Sequence, residues 1–64
     1  MNPRFLYAVN NGVIYKAEYG HPSMGNYVMI NHNVNNYYTV YMHMSDLTVK
    51  TGQTVERGQV IGNM

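Results

Sequence analysis

Apolar residues along this chain never sustain the i, i+3, i+4, i+7 spacing of an amphipathic helix. Instead, short windows rich in Val, Ile, Tyr and Thr alternate with Gly, Asn and Pro, which predicts an all-β chain. Phe5 to Val9 and Val13 to Ala17 read as two strands around Asn10-Asn11-Gly12, a turn that tolerates positive φ, so the first expected element is a hairpin. Glu18 to Asn26, with Gly20, Pro22, Ser23 and Gly25, reads as a loop with an exposed polar tip. Tyr27 to Asn31 and Tyr37 to His43 make a second hairpin across the Asn-rich segment 32–36. Strand alternation puts Tyr37, Thr39, Tyr41 and His43 on one face and Tyr38, Val40 and Met42 on the other, without saying which face is the core.

The last third carries a different period. Val49, Gly52, Val55, Gly58 and Ile61 recur every third residue. A helix gains nothing from two such glycines, each about 1 kcal/mol worse than Ala. Tight bends at Gly52 and Gly58 are expected instead, with Val49, Val55 and Val60-Ile61 dropping into the core between them. The expected architecture is one small, barrel-sandwich-like antiparallel β domain over residues 1–64.

Composition narrows the function. Sixty-four residues support one small core, in a size range of marginal stability. Net charge is +1 and only 11% of residues are charged, so no basic surface argues for nucleic acid. No apolar stretch approaches the ~20 residues of a membrane span, and no signal-peptide h-region follows Met1, so membrane insertion is not expected and no address is legible. Without cysteine there are no disulfides, thiolate sites or Cys nucleophiles, and any metal needs His or carboxylate ligands. His21, His32 and His43 show no metal-type spacing with Glu18, Asp46 or Glu56. Seven Tyr suit strands, and together with Asn they also suit a sugar-stacking surface.

The order of motifs is more telling than any single one. Ala8-Val9-Asn10-Asn11-Gly12-Val13-Ile14 is followed by Gly25-Asn26-Tyr27-Val28-Met29-Ile30-Asn31-His32, then Thr39-Val40-Tyr41-Met42-His43-Met44-Ser45, then the run from Val49 to Gly62. In that order and at those spacings the whole chain resembles the lysostaphin and LytM-type zinc metallopeptidases, which cut peptide cross-links of bacterial cell walls. The resemblance implies that Tyr41-Met42-His43 is the family's Tyr-x-His. His43 is then a catalytic histidine that is not a metal ligand, serving to orient or deprotonate the attacking water or to stabilise the oxyanion. Tyr41 and Asn26 become expected substrate contacts. The family's H-x-x-x-D and H-x-H zinc motifs do not occur in these residues. Zinc is therefore expected in the complete family domain and not in this chain alone, which is expected to be inactive by itself.

The partner implied is peptidoglycan peptide or glycan, and the setting a cell wall, periplasm or phage particle. An alternative is a non-catalytic module that binds peptidoglycan or a protein partner on the same scaffold, with self-association through exposed strand edges. Biotinyl and lipoyl carriers share similar V-x-x-G turns, but neither Lys16 nor Lys50 stands in a carrier context.

Overall fold

In a computed structural model describing residues 4–64, the chain forms seven strands and, among the described residues, no helix. They are β1 (Phe5–Tyr7), β2 (Gly12–His21), β3 (Gly25–Asn31), β4 (Tyr38–Tyr41), β5 (Asp46–Leu47), β6 (Thr54–Val55) and β7 (Val60–Asn63). Two antiparallel sheets result, one in the order β1-β7-β5 and the other in the order β4-β3-β2-β6. Between them lies a core of Ala8, Ile14, Val28, Ile30, Met44, Val49, Val55 and Ile61. The all-β barrel-sandwich expectation holds.

The first hairpin does not form. Phe5 pairs with Asn63 and Leu6 with Gly62, so the first strand joins the last, while Gly12 and Val13 pair with Val55 and Thr54. Asn10-Asn11-Gly12 carries the chain from one sheet to the other instead of folding it back. Its polar groups explain why: the Asn11 side chain accepts the Arg57 N–H at 2.8 Å, and the Asn11 carbonyl lies 2.7 Å from His32 Nδ1. Gly12 is required by packing, since a Cβ there would sit 2.6 Å from the Asn31 carbonyl oxygen and 2.7 Å from Ile30 Cγ2.

The expected loop from Glu18 to Asn26 is mostly strand. β2 continues to His21 and β3 starts at Gly25, leaving only residues 22–24 as a turn. The glycines and proline that suggested a loop serve a bulged hairpin: register shifts between Glu18 and His21, and Gly20 and Gly25 take positive φ. His21 is half-buried, and its Nδ1 caps the turn by accepting the N–H groups of Ser23 and Met24 at 3.1 and 3.0 Å.

The two glycine bends form as expected. Lys50–Gln53 and Glu56–Gln59 are closed in the same way, with Gln53 N–H donating to Lys50 O and Gln59 N–H to Glu56 O. Gly52 (φ 90°) and Gly58 (φ 84°) fill the third position, which a type II turn reserves for glycine. Each Gln side chain also accepts the N–H of the residue three back, Lys50 or Glu56. Val49, Val55 and Ile61 are buried on either side of these bends, whereas Val60, also expected in the core, is only half-buried because it alternates to the other face of β7 from Ile61.

Candidate functional site

His43 was expected at the end of a strand, but β4 stops at Tyr41. Up to that point the ladder is regular, with Val28 facing Tyr41, Ile30 facing Thr39 and His32 N–H bonded to Tyr37 O. Two residues further along β3, Asn26 O accepts from Met44 and not from His43. One extra residue has been inserted, and it is His43. It adopts φ 58°, a left-handed conformation that non-glycine residues rarely take and that Asn, Asp and His tolerate better than most. A bulge of this kind re-aims the side chain at the inserted position. The His43 backbone N–H is anchored to Met24 O at 2.9 Å, and the residue is exposed. Its ring lies over Gly25, where an added Cβ would come 3.4 Å from Nδ1. Among the described residues neither ring nitrogen of His43 has a hydrogen-bond partner.

The segment around this bulge is fastened from β2 and β3. Asn26 Nδ2 donates to Met44 O at 2.9 Å, and Asn26 Oδ1 accepts the Gly20 N–H at 3.0 Å. Further along, the Tyr19 hydroxyl donates to Asp46 Oδ1 at 2.5 Å, and the Leu47 N–H points at both of those oxygens, at 3.1 and 2.9 Å. This arrangement holds the Asp46 carboxyl below the usual carboxylate range, through the Tyr19 hydroxyl first and the Leu47 N–H second. The same bond to Asp46 holds the Tyr19 phenol above its usual range. Burial first, and then the bond to Glu18, does the same for Tyr27. Gly62 on β7 passes so close to Asp46 O and Met44 Cε that no side chain fits there.

The other candidates have structural partners. Tyr41 Oη donates to Tyr7 O at 3.0 Å and accepts the Val9 N–H at 3.2 Å, stitching β4 to the segment after β1. Asn26, expected as a substrate contact, uses both ends of its amide inside the chain. His32 is buried with both nitrogens engaged. The carbonyl of Asn11 can only accept, so Nδ1 carries the proton, and Nε2 accepts from Thr39 Oγ1 at 2.8 Å in the neutral ring.

Among the described residues no group of three or more His, Asp or Glu side chains comes together to hold a metal ion. His21 caps a turn and His32 is sealed in the core, so the three histidines do not converge on one ion and the donor set does not fit zinc. Sequence reasoning missed Tyr19, Asp46 and Gly25. Their signal is spatial, because each acts on residues far away in sequence.

A family model, Peptidase family M23, matches residues 4–64, and the chain belongs to that family. It is 47% identical over 57 residues to the peptidoglycan DD-endopeptidase ShyA of Vibrio cholerae, a match covering 89% of this chain and 13% of the relative. To ShyC of the same organism, also a peptidoglycan DD-endopeptidase, it is 42% identical over 59 residues, covering 92% of this chain and 13% of the relative. An uncharacterized metalloprotease of Haemophilus influenzae is 45% identical over 51 residues, covering 80% of this chain and 10% of the relative. The chain thus spans about an eighth of the length of the first two relatives.

Proposed function

We propose that this chain is the β core of a cell-wall endopeptidase domain, and that it supplies that domain with a single scaffold unit and one reactive side chain, His43. The observation that carries the reading is the bulge, which displays a ring whose nitrogens find no partner among the described residues, on a firmly bonded backbone. An imidazole ring accepts a proton at one nitrogen and returns it, and its N–H stabilises the oxygen of an amide under attack. Membership of the family supports this role, as do the DD-endopeptidases to which the chain is similar. The substrate class is peptidoglycan peptide. Tyr41 presents only its half-buried ring, since its hydroxyl is spent on Tyr7 and Val9. Zinc belongs to the chemistry of the complete domain, and the lack of a cluster of three or more His, Asp or Glu among the described residues supports a site completed by other segments. By themselves these residues therefore release no peptide from the wall.

The test is a transplant. Residues 4–64 replace the matching stretch of ShyA, and release of soluble fragments from purified sacculi is measured beside the isolated chain supplied with zinc. The expected outcome is an active transplant, an inactive isolated chain, and a loss of about 100-fold or more in the transplant carrying His43→Ala. Undiminished release by His43→Ala sinks the role given to this residue, and release by the isolated chain sinks its inactivity.

A further inference from the structure

Met44, the residue after the bulge, has both of its main-chain polar groups bound to one partner. Its N–H donates to Asn26 O at 2.9 Å and its carbonyl accepts from Asn26 Nδ2 at 2.9 Å. The remaining end of the same amide takes the Gly20 N–H, at a residue with φ 76°. The preceding residue of β3, Gly25, is the surface on which the His43 ring rests. Residues 25–26 therefore set both the backbone that turns His43 outward and the floor beneath its ring.

We propose that Asn26 is a positioning residue for His43 and not a contact for substrate, an inference that rests on the functional reading above. The requirement for Asn follows from the two bonds. One arm must accept from Gly20 while the other donates to Met44, and only a short primary amide does both at this reach. Aspartate keeps the acceptor but turns a second oxygen toward the Met44 carbonyl. Alanine loses both. Either change frees the Met44 carbonyl and lets the inserted residue relax toward ordinary strand geometry, which swings the ring away from its place. A displacement of about 1 Å in a catalytic group is enough to cost about 100-fold in rate.

Two measurements on Asn26→Asp and Asn26→Ala test this. In the chain itself, amide hydrogen exchange is expected to show about tenfold less protection at His43 and Met44, while β2 and β7 keep theirs. In the ShyA transplant, kcat is expected to fall about 10- to 100-fold with KM unchanged. Normal kcat, or a raised KM at normal kcat, overturns the proposal, the second by making Asn26 a substrate contact after all. Protection lost evenly through both sheets overturns it as well, since Asn26 is then only a part of the general framework. An inactive parent transplant overturns the functional reading and the catalytic half of this one, and the exchange pattern still decides whether Asn26 holds the bulge.

Discussion

The glycine bends at 50–53 and 56–59 and the bulge at His43 each change the direction of the chain through a residue at positive φ, yet their instructions come from opposite distances. Each bend is closed within four residues, by a main-chain bond and a Gln side chain that reaches back three positions. The bulge is held by Asn26, 18 residues from Met44, and the segment beyond it by Tyr19, 27 residues from Asp46. The bends use glycine, which enters the left-handed region without strain, whereas the bulge forces a side chain into it. Local closure suits a part whose task is stability. Remote closure suits a part that sets the direction of a ring, because its partners, Tyr19 and Asn26, lie on β2 and β3.

Gly52→Ala and Gly58→Ala break the bends most directly. An added Cβ meets no atom within 4 Å at either site, so only the left-handed backbone resists it. Each substitution is expected to cost about 1–2 kcal/mol, and the two costs should match. Thermal unfolding reads this as a drop of roughly 4–8 °C per kcal/mol, with the amide signals of His43 and Met44 unmoved. Gln53→Ala and Gln59→Ala should each cost about 0.5–1.5 kcal/mol, and their effects should add because the bends share no bond. Strong coupling between the two Gln changes would show that the bends are one unit.

Tyr19→Phe is expected to have the smallest effect and is best seen against pH. Asp46 has a lowered folded pKa, so its contribution is full above about pH 4 and is lost as pH falls through the folded value. Tyr19 has a raised folded pKa, so its contribution is full below about pH 10 and is lost as pH rises through the folded value. Denaturant titrations across pH should therefore show a flatter acid limb for the Phe variant. The alkaline limb should flatten only in part, because Tyr27 still titrates there. Both groups are exposed, which keeps these changes small. An unchanged acid limb would remove the Tyr19–Asp46 bond from the account of how the His43 segment is held.

The contrast in distance also explains what the sequence disclosed. Val49, Val55 and Ile61 are buried around glycine bends as their spacing predicts, since a bend closed within four residues is written in those residues. The same spacing with Gln after each Gly was open to view, and its bonding became clear only once the bends were in place. The second hairpin was legible because Asn33, Asn35 and Asn36, all at positive φ, announce its connection. The first hairpin failed because Asn10-Asn11-Gly12 has turn chemistry, but its polar groups serve Arg57 and His32 in distant elements. Glu18 to Asn26 failed for the reverse reason, since Gly20, Pro22 and Gly25 mark a bulge and a three-residue turn inside a long hairpin. For the site, the Tyr-x-His pattern pointed to His43. Nothing adjacent to it foretold the inserted residue, the amide of Asn26 behind it, or the engagement of Tyr41 Oη.

The left-handed backbone at His43 has an evolutionary consequence. The three other non-glycine residues at positive φ among the described residues are all asparagine, and a single base change converts a histidine codon into an asparagine codon. Asparagine at position 43 would suit the conformation at least as well, and the exposed ring it replaces contributes nothing to the core. A lineage can therefore shed the imidazole in one mutational step and inherit the scaffold intact. Descendants that keep this fold and have lost the ring at position 43 are within easy reach of this architecture.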